Sequence, residues 1–403
     1  MAVIKLNLSM EISSLRFSWR RARAAAFSFI ACWGLAAGAP DALAAGVMSR
    51  VPPPALDARS YALLDFRTGA LLAEKNAHEK LGPASITKVM TVYVTALALR
   101  DGLVTLQDQV LVSEKAWKMG GSRMFIEVGK RVSVEELLNG VIIQSGNDAS
   151  VALAEHVSGS EEVFAALMNE QAKQLGMVDS HFANATGWPH PETYSTAYDL
   201  TLLAAALIRE FPEIYARFSH KEFVFNGIRQ PNRNRLLARD PSVDGIKTGH
   251  TEDAGYCLLS SAVENGTRLI AAVMGSSSDA VRTEASHALL SYGQRFFETR
   301  ELYAPDATIM QAKVWGGDAP EVLVGVERPL ALTFPRGRFD ELQAQAVLEE
   351  PVMAPLQKGQ TIGTLTIRLD EEVLATEPLV ARDAVAEGSL TSRLVDQVML
   401  WFE

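Results

Sequence analysis

Strand-like sequence sits at both ends of a long helical stretch, and that arrangement limits the folds open to this chain. YALLDFRTGALLAEKN, residues 61–76, alternates into two strands around an Arg67-Thr68-Gly69 turn. Far downstream, VDGIKTGHT is followed by YCLLSSAVENGTRLIAAVMG, two strands around Asn265-Gly266, a dipeptide suited to a tight hairpin. The late strands are expected to pair with the first hairpin in one antiparallel sheet with helices packed on it, an α+β fold.

Between them the apolar pattern predicts helix. Ser85 to Arg100 reads as a buried helix ended by Gly102, with Ser85 in its first turn. Ser133-Val134-Glu135-Glu136 forms a capping box opening LLNGVIIQ. That helix breaks at Ser145-Gly146-Asn147, and another runs from Asp148 to His156. Further helices are expected from Ser160 to Gly176, from Thr196 to Arg209 and from Val281 to Phe297, with an Asn226-Gly227 hairpin in FVFNGIRQ. From about residue 301 the texture changes to short alternating runs such as VLVGV, LALTF and TIGTLTIRL, a small all-β module.

A chain of 403 residues exceeds what one core usually holds, so two domains are expected. Residues 1–44 read as a signal peptide: Arg16, Arg20, Arg21 and Arg23 precede AAAFSFIACWGLAAGA, and Ala42-Leu43-Ala44 is a small-x-small cleavage pattern. The retained alternative is a membrane anchor, but the apolar run is short for one. The Arg20-Arg21 pair fits twin-arginine export or an ordinary basic leader equally. Removing residues 1–44 takes away five Lys/Arg and two Asp/Glu, so the formal charge falls from −10 to −13. That charge opposes nucleic-acid binding. Cys257 is then the sole cysteine, which leaves no intrachain disulfide. No zinc cluster, phosphate-binding loop or G-x-S-x-G elbow is present, and no metal or organic cofactor is expected.

Three short motifs carry chemistry. Ser85-x-x-Lys88, Ser145-x-Asn147 and Lys247-Thr248-Gly249 each have a bland reading: a helix-start serine, an inter-helix turn and a strand-end turn. Together, 60 and 102 residues apart, at helix start, loop and strand, they form a known signature of class A β-lactamases and penicillin-binding proteins. The set supplies what acyl transfer requires: nucleophile, base, proton relay and an anchor for an anion.

PASITKVMT, IIQSGNDASVALAEHVSG, FNGIRQPNRN and VDGIKTGHTEDAGY extend the likeness over roughly residues 45–300. They resemble the low-molecular-mass penicillin-binding proteins, serine D-Ala-D-Ala carboxypeptidases of the S11 peptidase type. The resemblance implies a serine β-lactamase/transpeptidase-like domain at 45–300, a β-rich domain at 301–386 and an amphipathic helix at 388–403. It implies an enzyme that trims the terminal D-alanine from peptidoglycan stem pentapeptides and is acylated by β-lactams. Ser85 would be the nucleophile, Lys88 its base and Ser145 the proton relay. Asn147 would hold the substrate amide and Lys88, and Lys247 and Thr248 would bind the substrate carboxylate. Lys247 and burial together would lower the Lys88 pKa. The backbone N–H groups of Ser85 and His250 would form an oxyanion hole. Gly249 lets a ligand approach the strand backbone, and the His250 side chain lines the cleft. Arg233 and Arg282 match positions near the carboxylate end, although both also read as surface arginines.

A β-lactamase and a peptidoglycan endopeptidase are the alternatives, since both use the same first half-reaction. Glu136 in EELLNG is a tempting deacylating carboxylate. It precedes Ser145 in the chain, however, and is explained by the capping box. The final SLTSRLVDQVMLWFE places Leu390, Leu394, Val395, Val398, Trp401 and Phe402 on one arc, with Ser392, Asp396 and Glu403 opposite and Leu400 an exception. As a helix of about 21 Å it is too short to span a ~30 Å bilayer. Peripheral attachment to the outer face of the inner membrane, in the periplasm, is expected.

Overall fold

The computed structural model describes residues 3–6, 51–305 and 307–402. The expected signal peptide therefore lies outside the described residues, apart from Val3–Leu6, which forms a strand antiparallel to Leu342–Leu348. The chain divides into two compact units. Among the described residues, one is 51–299 with Thr333–Arg336, and the other is 3–6, 300–305, 307–332 and 337–402.

The first unit is built on a five-stranded antiparallel sheet. Its strands are β1 (Ser60–Asp65), β2 (Leu71–Lys75), β3 (Val243–Thr251), β4 (Gly255–Glu264) and β5 (Thr267–Ser276), in the order β2-β1-β5-β4-β3. The first hairpin joins the last through Ala62↔Ala272 and Leu64↔Ile270, the pairing the sequence predicts. Strand alternation sorts the core. Ala62, Leu64, Ile270, Ala272 and Met274 join the main apolar cluster with the central helices. Leu63 and Leu269 face the other way, where Gly293 lets the closing helix pack so closely that an added Cβ would lie 2.8 Å and 2.5 Å from them.

Its main helices are α1 (Lys88–Arg100), α2 (Val134–Asn139), α3 (Asn147–Ser158), α4 (Glu161–Gln174), α5 (Ala197–Glu210) and α6 (Asp279–Phe296). α1 is buried on nearly every side from Lys88 to Ala96, which is why its sequence shows a long apolar run rather than a stripe. The capping box forms as read: Glu136 N–H donates to Ser133 Oγ at 3.2 Å, and Ser133 N–H donates to Glu136 Oε2 at 3.1 Å. Beyond α2 the chain makes a wide π turn, Gly140–Gln144, and Ser145 then enters the left-handed region at φ 66°. Gly140 is required there because any Cβ would collide with Met124.

The second unit is an antiparallel sheet of β6 (Thr308–Lys313), β7 (Glu321–Val326), β8 (Leu342–Leu348), β9 (Thr361–Leu369) and β10 (Glu372–Ala381), ordered β8-β9-β10-β7-β6, with Val3–Leu6 outside β8. The last helix, α7 (Leu390–Leu400), exposes Leu390, Leu394, Val395, Val398 and Met399, while Asp396 turns inward and its Oδ2 accepts the Gly316 N–H at 2.8 Å. No helix among the described residues is long and apolar enough to cross a membrane.

Candidate active site

The nucleophile turn is set by steric contacts on two sides. Ser85 lies in a short 3-10 turn, Ala84–Thr87, and α1 begins only at Lys88. This corrects the expectation that Ser85 occupies the first turn of the α-helix. Ala84 is held at φ 48°, a region non-glycine residues seldom adopt, so the α-helix does not start there. Gly187 packs onto that residue so tightly that a Cβ would lie 1.8 Å from the Ala84 carbonyl oxygen. On the other side Gly249 of β3 approaches Pro83, where a Cβ would lie 2.7 Å from its carbonyl oxygen.

Lys88, fully buried, lies one turn along from Ser85. Its Nζ donates to Ser85 Oγ at 3.0 Å and to the Thr186 carbonyl oxygen at 2.6 Å. Burial lowers its pKa from the ordinary lysine value to about 7; Asp148 works against this and Arg233 adds to it. The sequence reading credits Lys247 with the cationic part of this effect, but that part comes from Arg233. Repulsion between the two lysines falls on Lys247 instead, whose pKa is driven well down by burial, then by Lys88, Arg233 and Arg282.

Ser145 is buried, and its Oγ has no hydrogen-bond partner in the protein. The strained left-handed turn thus holds an unengaged hydroxyl, the kind of buried group that is costly unless a ligand or water uses it. Asn147 departs from expectation. Its Nδ2 donates to the Gly120 carbonyl oxygen at 2.7 Å and makes no bond to Lys88. The next residue, Asp148, is buried with both oxygens occupied: Oδ1 accepts the N–H groups of Met124 and Ala149, and Oδ2 those of Phe125 and Ile126. It fixes the 124–126 segment beside the site.

On β3, Lys247 and Thr248 are both buried and Lys247 Nζ donates only a long 3.4 Å bond to the Thr248 carbonyl. Arg282 is not a surface arginine. It is buried, and its guanidinium donates to the carbonyl oxygens of Gly249 at 2.8 Å and Cys257 at 3.2 Å while pairing with Asp279. It therefore braces β3 against α6. Arg233 is exposed, with Nε donating to the Gln144 carbonyl at 3.0 Å, just before Ser145. His250 is exposed, and its imidazole packs with ring centroids 4.0 Å from the Tyr256 ring across the ladder. Cys257 is buried and free, and burial raises its thiol to about 11, so it is inert.

Sequence reasoning missed the 184–188 turn. Asn184 Oδ1 accepts the N–H groups of Thr186, Gly187 and Trp188 at 3.1, 2.8 and 3.1 Å and the Thr186 hydroxyl at 2.9 Å. The N-A-T-G string could have been read as an asparagine-centred turn with glycine at positive φ. Nothing in it tells that Thr186 lies against Lys88, 98 residues earlier.

A serine paired with a lysine near neutrality, beside a cluster of cations, defines a serine acyl-transfer site of the penicillin-binding class. Residues 47–278 match the D-alanyl-D-alanine carboxypeptidase family, and residues 297–387 match the penicillin-binding protein 5 C-terminal domain. The chain belongs to the D-alanyl-D-alanine carboxypeptidases, a family of serine hydrolases. It is 46% identical to D-alanyl-D-alanine carboxypeptidase DacC of Escherichia coli K12, covering 92% of this chain and 96% of that protein. It is 42% identical to DacA of the same strain, covering 87% and 89%. The crystal structure of penicillin binding protein 5 from Haemophilus influenzae superposes with a TM-score of 0.80 at 40% identity, over 84% of this chain and all of that one.

Proposed function

We propose that this protein removes the terminal D-alanine from peptidoglycan pentapeptides through an acyl-enzyme on Ser85. The observation that carries this reading is the Ser85–Lys88 contact at 3.0 Å, with Lys88 held at about 7 by burial. A lysine in that range is an unprotonated base for an appreciable fraction of molecules at neutral pH. Lys88 Nζ takes the Ser85 proton as Oγ bonds to the carbonyl carbon of the penultimate D-alanine. The oxyanion is held by the backbone N–H groups of Ser85, on the 3-10 turn, and His250, on β3, two segments that the Pro83–Gly249 approach brings together. The C–N bond then breaks and D-alanine leaves as the amine, its nitrogen protonated through the free Ser145 hydroxyl. Water then attacks the ester, giving a proton to Lys88; as the C–O bond to Ser85 breaks, Lys88 passes that proton to Ser85 Oγ and the shortened peptide leaves as the carboxylic acid.

The terminal carboxylate is assigned to Lys247 and Thr248, with Arg233 adding field. Lys88, Lys247, Arg233 and Arg282 repel one another there, and an anionic ligand relieves that repulsion. A β-lactamase needs a carboxylate to drive deacylation. Glu136 is occupied by the capping box, and no carboxylate among the described residues hydrogen-bonds Ser85 or Lys88. Export to the periplasm rests on the residue 1–44 pattern, and attachment to the outer face of the inner membrane on the exposed apolar face of α7. The test is covalent capture. Penicillin should add its mass to the peptide containing Ser85, slowly lost, and Ser85→Ala should take none. Adduct at another residue would sink the reading.

A further inference from the structure

We propose that Asn184 is the positioning residue for the Lys88 base; this rests on the acyl-enzyme reading above. A buried neutral amine is useful only if its lone pair points at the serine proton, which requires an acceptor to fix one of its N–H bonds. The Thr186 carbonyl is that acceptor, at 2.6 Å. A carbonyl on a loop holds its direction only if the loop is locked, and Asn184 is the lock. One side-chain oxygen gathers three consecutive N–H groups and the Thr186 hydroxyl, while Nδ2 closes the turn by donating to the Trp188 carbonyl at 3.0 Å. The locked turn then docks on the nucleophile, since Gly187 lies against the Ala84 carbonyl. Further support comes from Thr91 of α1, whose hydroxyl donates to the Ala185 carbonyl at 2.6 Å. One asparagine therefore sets base and nucleophile together, without touching either or the substrate.

Losing the lock frees the Thr186 carbonyl and opens the base to water. Two effects follow: the lone pair is misaligned, and the burial that lowers Lys88 is relaxed. The experiment is the rate of acylation by a fluorescent penicillin across pH 5–10 for the full chain, Asn184→Ala and Asn184→Asp, with melting temperatures taken alongside. Asn184→Ala should acylate about 100-fold more slowly at neutral pH, with its acid limb displaced to higher pH. Asn184→Asp keeps an oxygen that accepts the same N–H groups and should recover much of the rate above the limb. An unchanged rate and limb in Asn184→Ala would overturn the proposal. So would a rate loss that follows the melting temperature with the limb unmoved, which marks a merely structural residue. Failure of the unsubstituted protein to be acylated would instead overturn the acyl-enzyme reading, and this proposal with it.

Discussion

Lys88 Nζ stands 3.0 Å from Ser85 Oγ inside the protein, with no carboxylate bonded to either. The lysine is therefore depressed mainly by loss of water, and that fixes two pH dependences, both rising with pH but over different ranges.

The first is catalytic. Acylation requires neutral Lys88, so its rate should rise with pH through about 7 and level off above it. A stopped-flow or gel profile of penicillin acylation reads the limb directly. A flat profile from pH 5 to 9 would show that another group takes the serine proton.

The second is conformational. Lys88 titrates near 7 when folded and near 10.4 when unfolded, so between those values the unfolded chain holds more protons. Stability from this group is lowest below pH 7 and grows as pH rises toward 10. Lys88→Met should be inactive yet more stable at pH 6 by roughly 1–3 kcal/mol. Its thermal advantage should shrink by pH 9. An advantage equal at both pH values would contradict the assignment.

Glu136 should be dispensable for chemistry. Glu136→Gln is expected to leave acylation and deacylation rates unchanged, while Ser133→Ala costs about 1 kcal/mol through loss of the cap. Faster loss of antibiotic turnover than of stability in Glu136→Gln would revive the β-lactamase alternative.

Arg282 acts through β3. Arg282→Ala removes the guanidinium from the Gly249 and Cys257 carbonyls and leaves Asp279 only its pair with Arg235, so it should destabilise the protein by roughly 2–3 kcal/mol and weaken substrate binding. Arg282→Lys should not restore both, because one ammonium cannot reproduce the planar fork. Calorimetry together with KM separates this from loss of a surface charge, which would change neither much.

The apolar face of α7 predicts vesicle binding that depends on residues 388–403. Their deletion should abolish co-sedimentation with lipid and leave acylation intact. Retained sedimentation would place the attachment elsewhere.

The sheet was legible because its signals are local. Asn265 and Gly266 both take positive φ in the hairpin their sequence announces, and strand alternation divides Leu63 from Leu64 as written. The three motifs were legible by order and spacing. What escaped was anything decided by distant chain. Ser85 sits on a 3-10 turn because Gly187 and Gly249 press on Ala84 and Pro83, contacts that no window around PASITKVMT contains. Arg282 looked superficial because its acceptors lie on strands 25 and 33 residues away. Asn147 had a role assigned by likeness, and its Nδ2 went to Gly120, 27 residues upstream.

The most direct test is release of free D-alanine from a purified peptidoglycan pentapeptide, with Ser85→Ala alongside and a cross-linked dimer as second substrate. The account predicts stoichiometric D-alanine from the pentapeptide, none from the mutant, and a slower cut of the dimer. Folded protein that releases no D-alanine yet cleaves the dimer would contradict it.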